Sequence, residues 1–190
     1  MTLELPLDRP LALAVVDALR AEGLPAVGVS YGGNDPAQAV MPLDWGALIP
    51  LWFMGGRTEP QVPAVVVSPA RDLPLADHVR AGATVARAVE GRRVAVVASA
   101  DHGHAHDPDG PYGFDPAAAD FDARVVEIVG ENRLGDLLDL DPALVEAAKA
   151  DSWWQMVMLH GALGDRWRGE LLSYEAPTYF GMLCAAYERL

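Results

Sequence analysis

The sequence predicts an α/β fold of three layers, with a mostly parallel or mixed central sheet and helices on both faces. Two continuous apolar runs, Pro63 to Ser68 and Arg93 to Ser99, are typical of strands covered on both faces. Residues 74–90 between them have a helical apolar pattern that stops at a glycine, so the three segments predict a βαβ unit. A chain of 190 residues is long enough to bury a core, and we expect one domain over residues 1–190.

The amino-terminal part predicts a helix, a strand and a second apolar segment. Apolar residues recur at helical spacing over residues 10–22, with proline in the first turn and Gly23 after the last one. Residues 26–30 predict a short strand that ends in the turn sequence Gly32-Gly33-Asn34-Asp35. That sequence lacks the pattern of a phosphate-binding loop. A bulky apolar segment follows at 45–54, interrupted by Pro50.

The carboxy-terminal half predicts mostly helices and then a strand region. Helical patterns cover residues 116–130, 142–149 and 152–163. Residues 171–174 and 179–187 predict a final strand pair, or a strand and a helix.

Composition excludes several classes of protein. The 27 acidic residues outnumber the 14 basic ones, and a net charge of −13 without a basic stripe disfavours nucleic-acid binding. No apolar stretch is long enough to cross a bilayer, and no secretory signal follows the first residue, so the default expectation is a cytoplasmic protein. The single cysteine, Cys184, excludes internal disulfides, and its apolar neighbours predict a buried small side chain.

The densest group of chemically active side chains follows the predicted strand at 93–99. The segment Ser99-Ala100-Asp101-His102-Gly103-His104-Ala105-His106-Asp107 holds three of the five histidines. In parallel α/β sheets, ligands bind at the carboxyl ends of strands. This segment is therefore the candidate functional site.

Three interpretations of the histidine segment remain open from the residues alone. Alternate spacing places three imidazoles on one side of an extended chain, where they share a metal with Asp101 or Asp107. One histidine is instead a general acid or base, since its pKa lies near working pH. The third interpretation is a solvated polar loop.

Several blocks of the chain resemble the LigB-type class III extradiol ring-cleavage dioxygenases. Residues 99–104, followed by a Gly-Pro loop at 109–114 and by Phe121-Asp122, resemble the Ser-Gly-x-x-Ser-His loop of that family. Three further blocks are similar in order and spacing: residues 43–51, residues 153–163, and Ser173-Tyr174-Glu175 with Gly181-Met182.

The resemblance implies a non-haem Fe(II) enzyme that binds a small aromatic diol and O₂ and cleaves the ring beside the diol. By this mapping His104 is the acid–base residue, and His102 is a subsidiary catalytic residue. Trp45, which stands where the family has a histidine, and Glu175, at the end of an element, are candidate substrate-binding residues. Asp101 and His106 are the candidate metal ligands.

The chain also departs from the family pattern. Two of the family's iron ligands are histidines of an amino-terminal segment, whereas this chain has no histidine before His78. The expectation is that a family segment precedes this chain, or that another chain supplies the ligands. The alternative function is a non-catalytic LigB- or Memo-like binding or scaffold protein.

Other candidates have simpler interpretations. His160 lies in an apolar helix, so we expect it in the core or at an interface. We expect His78 at the surface or half-buried. For Trp153-Trp154 we favour packing in the core or at a dimer interface over the lining of a substrate pocket. A sheet without its amino-terminal strands leaves apolar area uncovered, which predicts a homo-oligomer, most simply a dimer, with Trp52, Phe53 or Trp153 at the interface.

Overall fold

The structure, a computed structural model, describes residues 2–32, 35 and 39–190. Gly33 and Asn34 of the predicted turn lie outside the described residues. Chain contacts divide the protein into two compact units, which are described separately: Met1–Ser68 with Thr84–Ser99, and Pro69–Ala83 with Ala100–Leu190. No helix in the described ranges is both long and apolar enough to cross a membrane.

The first unit contains two helices and the end of a third. Helix α1 spans Arg9–Ala21, helix α2 spans Trp45–Phe53, and helix α3, Leu75–Ala88, has its last residues here. The side chain of Asp8 caps α1 by accepting from the Leu11 N–H at 2.9 Å. This hydrogen bond lowers the pKa of Asp8, and the nearby Arg92 contributes in the same direction.

A proline is tolerated inside α2 because a serine replaces its missing donor. Pro50 has no N–H to bond the carbonyl of Gly46, four residues earlier in the helix. The hydroxyl of Ser99 donates to that carbonyl at 2.6 Å instead. The bulky segment therefore continues as one helix through the position where the sequence indicates an interruption.

The described residues do not show the predicted central sheet. The segments 26–30, 63–68 and 93–99 belong to no named strand, and one parallel bridge joins Leu7 to Ala64. Their side chains are not covered on both faces either, since Val27 is 76% exposed and Val96 is 48% exposed. The observed fold is a mixture of helices with one small antiparallel sheet.

The second unit holds the main core. Helices α4 (Ala117–Gly130), α5 (Pro142–Ala147) and α6 (Trp153–Leu163), with a 3₁₀ helix at Leu134–Asp139, confirm the predicted helical segments. The two strands β1 (Trp167–Glu175) and β2 (Met182–Arg189) pair antiparallel, with an irregularity between Leu171 and Ser173. Their inner face packs against the core. Side chains at the centre of that core come from α4, the 3₁₀ helix and α6: Phe121, Val125, Ile128, Leu137 and Val157.

Two expectations about single residues were wrong. Cys184 is exposed, because residues 183, 185 and 187 of β2 face the core and the alternation of a strand turns Cys184 outward. His78 is buried at 3% exposure, on the same face of α3 as Gly82. At Gly82 helix α3 comes into backbone contact with α6, which leaves that face no access to solvent.

Candidate functional site

The histidine segment is held by backbone hydrogen bonds to two distant parts of the second unit. The N–H of His104 donates to the carbonyl of Ala148 at 2.8 Å. The N–H of His102 donates to the carbonyl of Gly181, just before β2, at 2.9 Å. The segment is therefore fixed on both sides, and its conformation does not depend on side-chain packing alone.

The tautomer of His104 follows from the groups around its ring. Its Nδ1 lies 2.9 Å from the carbonyl oxygen of Lys149 and 3.0 Å from that of His102. Carbonyl oxygens only accept, so Nδ1 carries the hydrogen and donates. In the neutral ring, Nε2 is then the basic nitrogen, and it lies 3.7 Å from Oδ2 of Asp101.

Asp101 makes His104 a stronger base. Its carboxylate favours the protonated imidazole and raises the pKa of His104, and the two backbone carbonyls add to this effect. Partial burial of the ring opposes the rise because it disfavours the charged form. The His104 side chain is 14% exposed, so the ring is sheltered while one edge remains accessible.

His104 lines a pocket of about 510 Å³ in the second unit. The rings of Tyr112 and Phe180 lie 5.4 Å and 5.8 Å from the imidazole, the first edge-on and the second stacked. Among the aromatic residues that line the pocket are Tyr112 and Trp154, and Arg71 lies over the Trp154 ring at 4.9 Å. Aromatic walls beside a basic imidazole suit a planar ring that carries an ionisable hydroxyl.

His102, the other predicted catalytic histidine, lies in the interior. It is 4% exposed, and its Nδ1 is 2.7 Å from the hydroxyl of Ser152, itself buried. Burial lowers the pKa of His102, so the ring is neutral at neutral pH. His102 does not line the pocket at His104.

His106 contacts a carboxylate that sequence reasoning missed. Its Nε2 lies 2.8 Å from Oδ2 of Asp122, which is 1% exposed. The Tyr174 hydroxyl donates to the same oxygen at 2.6 Å, and the Gly103 N–H donates to Oδ1 at 2.8 Å. Burial and the contact with Asp122 raise the pKa of Tyr174.

A sequence signal for Asp122 did exist. Residues 118, 121, 125 and 128 form the buried stripe of α4, and position 122 belongs to the same stripe. A carboxylate in an apolar helix face is stable only when other groups satisfy it, so it indicates a buried hydrogen-bond network.

The two candidate substrate-binding residues lie in different units. Glu175 is the last residue of β1, is exposed, and does not line the pocket. Trp45 is the first residue of α2 in the first unit and is 64% exposed.

Comparison with known protein families identifies the chain. A family model described as the catalytic LigB subunit of aromatic ring-opening dioxygenase matches residues 1–183. The chain belongs to the LigB family. This confirms the resemblance seen in the histidine segment and the three further blocks.

A curated relative of this LigB chain is Protein CA_C1420 of Clostridium acetobutylicum. The two are 26% identical over 185 residues, which are 95% of this chain and 39% of the relative. The chain thus spans about two fifths of the length of that protein.

LigB-type dioxygenases are typically non-haem iron enzymes, and the described residues do not fit such a metal. Asp101 lies beside His104, while His106 is bonded to Asp122. Across residues 2–32, 35 and 39–190, no three His, Cys, Asp or Glu side chains are grouped so that they could hold one ion. What this part of the LigB chain can do chemically is to accept a proton at Nε2 of His104.

Proposed function

We propose that this LigB chain binds a catechol-type aromatic diol at the His104 pocket and supplies the acid–base residue for its extradiol cleavage by O₂. One observation carries the proposal. In a member of this family, a histidine whose Nδ1 donates to the Lys149 carbonyl and whose Nε2 lies 3.7 Å from the Asp101 carboxylate lines an aromatic pocket.

The proposed step is a proton transfer from a ring hydroxyl to Nε2 of His104. The resulting imidazolium keeps its Nδ1–H bond to the Lys149 carbonyl. The negative charge of Asp101 stabilises the positive charge of the ring. An imidazole can accept and donate the same proton, so His104 can return the proton later. Tyr112 and Trp154 would hold the ring of the diol beside it.

A second candidate function is a LigB-like binding protein without ring-cleaving activity. It is favoured by the donor set: in the described part of the chain, Asp101 and His106 interact with protein partners instead of converging on one point. Iron ligands from another segment or another chain would restore the first candidate.

Binding of 4-nitrocatechol tests the proton step without iron, because the absorption of this diol changes when it loses a proton. At a pH below the pKa of the free diol, where 4-nitrocatechol in water keeps its proton, we expect the protein to bind it as the anion, and His104→Gln to bind it without that absorption change. His160→Gln is the matched control, since His160 lies in α6 away from this pocket. If His104→Gln gives the same absorption change of the bound diol as the unchanged protein, the proposal is contradicted.

Oxygen uptake distinguishes the two candidates. With anaerobically added Fe(II) and catechol, an active dioxygenase consumes O₂ and forms a ring-opened product. Replacement of an acid–base histidine typically lowers the rate about 10²–10⁴-fold, and we expect that loss in His104→Gln. Diol binding without O₂ uptake would favour the binding protein.

We also propose that the two units belong to one α/β domain of the family, in which segments 63–68 and 93–99 lie in a common sheet. The family match supports this, because residues 1–183 cover both units continuously. Hydrogen exchange provides the test. We expect protected backbone amides in residues 63–68 and 93–99, and rapid exchange throughout both segments would contradict the sheet.

A further inference from the structure

The peptide unit between His102 and Gly103 links a buried carboxylate to the imidazole of His104. Its N–H, from Gly103, donates to Oδ1 of Asp122 at 2.8 Å. Its carbonyl, from His102, faces Nδ1 of His104 at 3.0 Å and also accepts from the Asp151 N–H at 3.3 Å. One planar group therefore touches both side chains.

Fixing one end of this group fixes the other. In a trans peptide the N–H and the C=O point in opposite directions and move together. While Asp122 accepts from the N–H, the carbonyl stays toward His104 and acts together with the Lys149 carbonyl, 2.9 Å away, to keep the hydrogen on Nδ1. A flipped peptide would present its N–H to Nδ1 against the Lys149 carbonyl, so the neutral ring would shift toward the tautomer with its hydrogen on Nε2, which blocks the basic nitrogen.

Asp122 is itself rigidly held. It is 1% exposed, and two further donors, the Tyr174 hydroxyl and the His106 ring, occupy its Oδ2. A side chain at Gly181 would overlap this carboxylate, and one at Gly103 would come within 2.9 Å of the Ala118 backbone. The two glycines let the histidine segment and the residues before β2 approach the carboxylate closely.

We propose that Asp122 is a positioning residue that helps the Lys149 carbonyl to hold the Nδ1–H tautomer of His104, acting through the His102–Gly103 peptide. Asp122 touches neither the pocket nor His104 directly, so it acts through the orientation of that peptide. The catalytic meaning of this assignment rests on the proposed acid–base role of His104. The structural claim about the tautomer does not.

Nitrogen-15 NMR of the histidine rings tests the claim, because protonated and bare ring nitrogens have well-separated shifts. At alkaline pH, where the ring is neutral, we expect a hydrogen on Nδ1 of His104 in the unchanged protein. The signals are assigned by their loss in His104→Gln. Asp122→Ala should raise the share of the Nε2–H form, which free histidine in water favours, without removing the Nδ1–H form completely, because the Lys149 carbonyl still accepts. A tautomer ratio in folded Asp122→Ala equal to that of the unchanged protein would overturn the proposal.

The matched control is Asp120→Ala, an exposed carboxyl two residues away on α4, which should leave the His104 signals unchanged. A shift of the His104 signals in this control would also count against the proposal.

A second variant decides the question if Asp122→Ala fails to fold. In Asp122→Asn the amide oxygen can still accept from Gly103, and the amide nitrogen then faces His106 and Tyr174. We expect His104 to keep its Nδ1–H form while His106 changes to a bare Nε2. A changed His104 or an unchanged His106 in this variant would overturn the proposal.

None of these measurements needs substrate, iron or turnover. A failure of the proposed function in the nitrocatechol experiment would therefore leave the NMR outcome separate and interpretable.

Discussion

At the scale of single residues, His104 binds a proton more tightly when the protein is folded. Its pKa is raised, chiefly by Asp101, so its contribution to stability is fully present below the unfolded pKa of about 6.5. That contribution is lost as the pH rises through the higher folded value. We expect the unfolding free energy lost in His104→Gln to be larger at pH 5.5 than at pH 8.5, in urea titrations. Asp101→Asn should reduce this pH dependence, and an equal loss at both pH values would contradict it.

His102 should have the opposite pH dependence. Burial lowers its folded pKa, so below about pH 6.5 the unfolded chain takes up a proton that the native ring does not. Stability therefore falls as the pH drops from 6.5 toward the lower folded value. In His102→Gln we expect a smaller loss of stability on acidification than in the unchanged protein, measured by thermal melts between pH 7.5 and 5. An equal or steeper loss would show that His102 is protonated in the native state.

At the scale of elements, helices α3 and α6 are in contact through two glycines. A methyl group at Gly82 would overlap the carbonyl of Met158, and one at Gly161 would overlap the carbonyl of Val79. Backbone atoms cannot move aside as a side chain does. We expect Gly82→Ala and Gly161→Ala to destabilise by at least the ~1–3 kcal/mol typical of overpacking, measured by chemical unfolding.

Gly130 is the control for the helix contact. It ends α4, and a methyl group there would meet Leu171 at an ordinary 3.9 Å. Gly130→Ala should be neutral or slightly stabilising, because alanine favours the helix. If the three variants are equally stable, helices α3 and α6 do not approach as closely as described.

At the scale of the whole molecule, apolar side chains of the first unit remain uncovered. Val27 and Val29 are 76% and 65% exposed, and Phe53 at the end of α2 is 72% exposed. Exposed apolar side chains are often buried in a partner, and we propose a second copy of the chain. Light scattering at micromolar concentration should give the mass of a dimer, and Phe53→Glu should weaken it. Phe114→Glu, at a 63% exposed phenylalanine of the second unit, is the control. A monomeric mass for the unchanged protein would contradict the proposal.

Trp153 is placed differently from the other predicted interface residues. It packs in the core of its own chain, where its ring N–H donates to the Leu137 carbonyl at 2.7 Å. Both Trp153 and its neighbour Trp154 also line the pocket at His104. Adjacent tryptophans on a helix point in directions about 100° apart, and the sequence does not show which of them faces inward.

The sequence by itself determined the helices and the chemically active segment. The patterns over residues 10–22, 74–90, 116–130 and 152–163 are local, and α1, α3, α4 and α6 occupy them within a few residues. The family was also recognisable, since its motifs are short stretches of sequence. Local patterns suffice here because helix periodicity and capping depend on residues within a few positions of one another.

Only the tertiary structure shows the surroundings of the histidines and the pairing of the described strands. The partners of His104 and His106, the Lys149 carbonyl and Asp122, are 45 and 16 residues away in sequence. The apolar composition of residues 63–68 is compatible with a buried strand, but these residues are in no named strand. A strand also needs a neighbouring strand to pair with, and composition does not show whether there is one. Protonation, tautomer and burial depend on which distant atoms come within a few ångströms, and the chain acquires those neighbours only on folding.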